Sequence, residues 1–151
     1  MKRFILLLGI LCLTVLSAVG QSAADKIIGS YYISDDSSDE DCKIKIYKTS
    51  AGTYEGRIYW VKNPVFKDGS PKRDIKNPDP AKRNTPGDKI QLLFHFRYDS
   101  KENKWVDGEI YDPVHGKYYK SKMWFENEKK LRVRGYIGVP ALGRTMVWEK
   151  L

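Results

Sequence analysis

Few residues in this chain are of a type and spacing that could do chemistry. In YDPVHGK, residues 111–117, His115 stands between two strand-like runs, where an imidazole could serve as general acid or base near neutral pH. Yet Asp112-Pro113 is a turn opener and Gly116 accepts positive φ, so the stretch reads as a hairpin turn with no catalytic duty. His95, between Phe94 and Phe96, faces outward on an alternating strand. The two histidines are remote in sequence and Cys42 adds a single soft ligand, so no zinc or other metal site is expected. Beside an acidic run the Cys42 thiol is disfavoured as a thiolate and reads as inert. That run, SDDSSDEDC, gathers five carboxylates over residues 35–41. It lacks the glycine and spacing of a calcium loop and reads as a solvated turn. A nucleophile elbow and a phosphate-cradling glycine loop are both missing. No catalytic residue and no cofactor are expected.

The stronger candidate is the segment 62–89, which holds five of the seven prolines and little that can be buried. Prolines 64, 71, 78, 80 and 86 forbid a regular ladder or helix there, and a connection this long inside one domain is functional or disordered. Asp74, Asn77, Asp79 and Arg83, held by Pro78 and Pro80, are candidate ligand-binding residues on a loop that could fold over the mouth of a barrel. Asn77 and Asp79 could equally cap turns. Trp60, Phe96 and Tyr119 are candidate aromatic contacts for the same ligand.

The elements that must position these residues are strands. Helical periodicity is almost absent, and β-branched and aromatic residues come in short runs broken by Gly, Pro, Asn and Asp. About eight strands are expected, over 27–34, 42–48, 53–61, 90–98, 104–112, 117–125, 130–138 and 144–150, mostly joined by short turns as in a meander. Alternation sets Ile44 and Ile46 inward against Lys43 and Lys45. The same parity sets Leu92, Phe94, Phe96 and Tyr98 inward against His95 and Arg97, and Tyr119, Ser121 and Met123 inward against Tyr118 and Lys120. Leu131, Val133 and Ile137 share the inward face of their strand. EGRIYW, DGEIYD and RGYIGV repeat Gly-x-Ile, and with Gly29 they put Gly56, Gly108 and Gly135 on the inward face. Repeated glycines of this kind coil a sheet until it closes. The expectation is an all-β, closed, eight-stranded antiparallel barrel, filled by its own side chains or holding one small ligand.

At the N-terminus, Lys2 and Arg3 precede an apolar run to about Leu16 and then small residues, the pattern of a secretory signal peptide. Residues 1–20 are expected to be cleaved, with Ala18 and Gly20 at −3 and −1, leaving 21–151 as one domain exported to the periplasm or beyond. That chain keeps Cys42 alone and has no internal disulfide to draw on. Removing Lys2 and Arg3 lowers the formal charge of +8 to +6. Such a charge favours anionic partners, an envelope surface among them, while export argues against nucleic acid. A monomer is expected.

NPDPAKR followed by Pro86, GEIYDPVHGKYY and LRVRGYIGVPALGRTMVWEK, taken in order, resemble the bacterial exported family known as domain of unknown function 2147. The resemblance implies a calycin-like, lipocalin-related up-and-down barrel and no established activity. Where lipocalins carry a first-strand Trp, GSYY supplies Tyr31. The resemblance also implies that Tyr31 meets an arginine of the last strand, Arg144, to close one end. Three functions are then open: a non-enzymatic carrier of a small apolar or amphipathic ligand, an envelope-surface or protein-interaction module with a filled barrel, and an enzyme using carboxylates of the Pro-rich loop.

Overall fold

The computed structural model describes residues 22–34 and 39–151. The expected signal peptide and residues 35–38 of the acidic run lie outside them. Eight strands succeed one another: β1 Gly29–Ile33, β2 Cys42–Lys48, β3 Tyr54–Val61, β4 Gln91–Asp99, β5 Lys104–Asp112, β6 Lys117–Asn127, β7 Lys130–Tyr136 and β8 Arg144–Lys150. Each pairs antiparallel with the next, and β8 returns to β1 to close the barrel, as the glycine pattern and the resemblance led one to expect. The closing seam is short, with Tyr31 opposite Lys150 and Tyr32 opposite Glu149.

A 3-10 turn, Ala24–Ile27, plugs the end at which β1 begins. The Tyr31 hydroxyl donates to the Ile27 carbonyl at 2.7 Å and the Trp105 indole to that of Ala24 at 3.1 Å. Asp25 accepts from Tyr54 at 2.6 Å and pairs with Lys48 at 3.0 Å. These donors, Tyr54 first, hold the Asp25 carboxyl below the usual range. The expected Tyr31–Arg144 pair does not form. Arg144 lies opposite Gly135 at the start of β8 and is exposed. Six residues of extended strand, about 20 Å, separate it from Lys150, the residue that faces Tyr31. The Lys150 ammonium stands 5.9 Å from the Tyr31 ring centre and 5.4 Å from that of Phe125, and donates to the Lys26 carbonyl. A cation over aromatic faces thus closes this end, with lysine in the part the resemblance gave to arginine.

Register shifts in β3, β4 and β5 revise the faces read from strict alternation. A single inserted residue turns the remainder of its strand to the other face. In β3 the register slips between Ile44↔Ile58 and Lys43↔Trp60, so Tyr59 is extra and Trp60 turns outward under the Lys43 ammonium, 4.9 Å from its ring centre. In β4 the register shifts twice, between Arg57↔Gln91 and Gly56↔Leu93 and again between Gly56↔Leu93 and Tyr54↔Phe96. His95 takes φ 59° there, Leu93 and Phe96 point inward, and Phe94 turns out. In β5, Asp107 takes φ 57° between Trp105 and Gly108. Ile137 also departs from expectation: β7 ends at Tyr136 and the side chain is exposed.

Inside, Ile44, Ile46, Leu93, Phe96, Trp105, Met123, Leu131, Val133 and Trp148 are buried. The inward glycines do not leave a void. A Cβ on Gly108 would stand 2.4 Å from the Phe96 ring, one on Gly56 2.9 Å from Leu93 Cδ1, and one on Gly135 3.2 Å from Ile110 Cγ2. Neighbouring side chains occupy the space the glycines vacate, so the barrel is filled where they lie.

Gly108→Ala is therefore expected to lower the unfolding free energy by about 1–3 kcal/mol, and Gly135→Ala by less, measured by urea denaturation. Equal midpoints for wild type and Gly108→Ala would mean that the Phe96 ring moves aside freely, contrary to this packing.

Candidate functional site

Accessible polar and aromatic groups are gathered on the part of the outer wall where the Pro-rich loop is fastened. The wall carries three rings. Phe94, turned out by the β4 bulge, stands 5.6 Å from Tyr118, and Tyr118 stands 4.7 Å from Tyr111. Tyr111 is outward but buried, because the loop covers it.

The loop attaches through a buried carboxylate. Asp74 is 3% exposed and Asn77 2%. Asp74 accepts from the Tyr111 hydroxyl at 2.7 Å on one oxygen and from Asn77 Nδ2 at 2.7 Å on the other. A buried polar group is tolerated when it is bonded in this way. Burial, and then the Asp74 carboxylate, push the Tyr111 hydroxyl well above the ordinary phenol range, so it stays a donor. The sequence Asn77-Pro-Asp-Pro folds by its own side chains. Asn77 Oδ1 accepts from the Asp79 amide at 2.9 Å, and Asp79 Oδ1 from that of Ala81 at 3.0 Å, capping a 3-10 turn over Pro80–Lys82. Arg83 Nε braces the Asn77 carbonyl at 2.8 Å. Two isolated bridges, Val65↔Pro71 and Arg73↔Pro86, fold the loop on itself, and the Lys76 ammonium, donating to the Val114 carbonyl at 2.8 Å, adds a second attachment.

Between loop and wall lies a cleft of about 200 Å³, lined by Asp74, Asn77, Lys82, Thr85 and Lys89 from the loop side and by Arg57, Gln91, Phe94 and Tyr118 from the wall. Three cations thus border an aromatic floor. A second concavity of about 400 Å³, open to solvent, lies over Lys45, Tyr47, Arg57 and Tyr59. Arg57 is common to both, its Nε donating to Gln91 Oε1 at 3.3 Å.

Of the residues singled out from sequence, Asp74 and Asn77 reach the cleft. Asp79 and Arg83 shape the loop instead. Phe96 is buried against Gly108 and cannot meet a ligand, Trp60 faces outward away from the cleft, and Tyr119 is inward and half-buried. The loop rests against the wall rather than over the mouth. His115 occupies an exposed turn, its Nδ1 2.7 Å from Asp112 Oδ2, and His95 is exposed beside Glu55. Burial, and then Asp41, push the Cys42 thiol up to about 11. In the described part of the acidic run, Glu40 pairs with Lys72 at 2.6 Å and Asp41 with Lys62 at 3.6 Å. Sequence reasoning missed Arg57, Lys82, Lys89 and Phe94. The one signal available was Tyr118, an aromatic assigned outward by alternation and left without a role.

A family model described as an uncharacterized protein conserved in bacteria (DUF2147) matches residues 29–150. The chain belongs to this family. The match spans β1 to β8, so in this DUF2147 chain barrel and loop lie within one family unit. The solved structure of protein HP1028 from Helicobacter pylori, a lipocalin-family protein, is similar with a TM-score of 0.67 and 22% identity over 82% of each chain. At that identity the likeness is one of fold, and it places the DUF2147 barrel among lipocalin-like barrels. No curated protein matches the chain.

Tyr111→Phe removes one donor from the buried Asp74 and is expected to destabilise by about 1–3 kcal/mol, with faster tryptic cleavage at Lys76 and Lys82. Unchanged cleavage and an unchanged urea midpoint would mean that the hydroxyl does not hold the loop.

Proposed function

We propose that the protein is an exported, monomeric, non-enzymatic binding protein for a small amphipathic ligand that carries an anionic group. The ligand sits in the cleft between the Pro-rich loop and the outer wall, not in the barrel. The observation that carries this reading is the placement of Arg57, Lys82 and Lys89 around the floor of Phe94 and Tyr118, while Phe96, Leu93 and Ile110 fill the space over the inward glycines. An anion would be met by charge-assisted hydrogen bonds and its apolar part by the rings. About 200 Å³ is below the ~300–1,000 Å³ of a drug-sized site, so the ligand is small or only its charged end enters. Binding rather than catalysis is supported by the loop carboxylates themselves: both Asp74 oxygens are engaged by Tyr111 and Asn77, and Asp79 Oδ1 caps a turn.

The test is amide chemical-shift mapping with a panel of aromatic carboxylates and phosphates, compared with their uncharged amides and alcohols. Anionic members are expected to perturb Gln91, Phe94 and Tyr118. Arg57→Ala and Lys89→Ala are each expected to weaken binding by roughly tenfold, the equivalent of about 1.4 kcal/mol. Shifts confined to inward residues such as Trp148 and Tyr119, or affinities indifferent to both variants, would sink this reading.

A further inference from the structure

One surface is explained neither by the fold nor by the cleft. The β7–β8 connection, residues 137–143, reads IGVPALG and carries no charge. Its Ile137, Val139 and Leu142 are 70%, 54% and 79% exposed. The segment is nonetheless firmly shaped. Arg134 Nε donates to the Pro140 carbonyl at 2.7 Å and Arg134 Nη1 to Thr145 Oγ1 at 2.7 Å. The Leu142 and Gly143 amides close a 3-10 turn onto Val139 and Pro140 at 3.1 Å each, and a Cβ on Gly143 would lie 2.5 Å from the Gly135 carbonyl oxygen. The chain therefore holds three large apolar side chains in water in a fixed arrangement, when packing against the barrel would have removed them from it. Ile75 and Val114 reach solvent at the same end of the barrel, at 63% and 60%.

We infer that this loop end docks onto the surface of an anionic phospholipid bilayer, with Ile137, Val139 and Leu142 entering the interfacial region. Charge complementarity selects this occupant. Lys120, Lys122 and Arg144 lie opposite Tyr136, Arg134 and Gly135, immediately below the apolar tip. Glu109 lies across from Lys120 on β5, yet none of the three cations forms an ion pair among the described residues. At that end Glu40 and Asp41 face Lys72 and Lys62, which reduces their repulsion of an anionic surface. An apolar tip backed by cations is the chemistry of interfacial binding to acidic lipid, and a tip shaped in advance loses little freedom on docking. The outer wall carries Lys43, Lys45, Lys120, Lys122 and Arg132 on several strands. A lipid-facing barrel wall does not tolerate such residues, so the barrel rests on the bilayer and does not cross it.

Flotation of the whole protein with vesicles of phosphatidylcholine alone, and of equal parts phosphatidylcholine and phosphatidylglycerol, tests this at low and high salt. Binding is expected only to the anionic vesicles. Leu142→Asp and Ile137→Ser should each reduce it by about tenfold or more, Lys120→Glu likewise, with urea midpoints unchanged because all three side chains are exposed. Four outcomes would overturn the inference: no flotation, equal binding to both vesicle types, anionic binding that survives Leu142→Asp, or self-association in solution that Leu142→Asp abolishes, which would make a second copy the occupant. The cleft reading stands or falls separately, since Arg57→Ala leaves the loop intact and Leu142→Asp leaves the cleft intact.

Discussion

The contact between the Phe96 ring and the backbone of Gly108 governs much else in this barrel. No side chain larger than hydrogen fits at residue 108, and the ring that takes its place bridges β4 and β5 in the middle of the interior. Bulges flank the contact on both strands, at His95 and Asp107, and an Arg97–Asp107 ion pair spans the outside. Such glycine-plus-aromatic packing bends a sheet and fills the bend in one step. The space beside Gly108 is thus taken by the Phe96 ring and is closed to a ligand.

The exterior owes its shape to polar chemistry rather than to apolar burial. Ordering a loop as long as 62–89 incurs a large loss of chain entropy, and the segment has few apolar side chains with which to offset it. Prolines reduce what must be lost, and the Asp74 carboxylate supplies a single buried point of attachment. Of the three rings beneath it, Tyr111 is part of the buried core, and Phe94 and Tyr118 pack against that core from the wall. The cleft is thus a by-product of fastening a polar loop onto an aromatic surface, and its cations lie where loop and strand meet.

Alternation and glycine spacing made the strands and their closure legible in the sequence, because period two and turn residues are local signals. β2 illustrates this, with Cys42, Ile44 and Ile46 buried as strict alternation requires. The misreadings of Phe94, Trp60 and Ile137 share one cause. A bulge or an early strand end changes the face of a side chain without changing the composition of the run, and His95 gives no hint in sequence that it adopts positive φ. Arg144 was expected beside Tyr31, yet Lys150, with the same parity on β8, takes that place, because parity says nothing about depth along a strand. The NPDP segment was legible as a place of interest, while its chemistry depends on Tyr111, a partner thirty-seven positions away.

The seam between β1 and β8 joins the two strands farthest apart in sequence, through Tyr31↔Lys150, Tyr32↔Glu149 and a Leu151 amide donating to the Ser30 carbonyl at 3.0 Å. By contrast, β6 and β7 are paired from Lys120↔Tyr136 to Asn127↔Lys130 across a tight turn. In folding, hairpin contacts form cheaply, whereas the seam requires the whole meander to be drawn round before it yields any return in contacts. It is therefore expected to be the last register set and the first lost in local opening, which amide hydrogen exchange at Tyr31, Tyr32 and Lys150 would show. The barrel breathes, on this account, as a curled sheet whose free edges are its first and last strands.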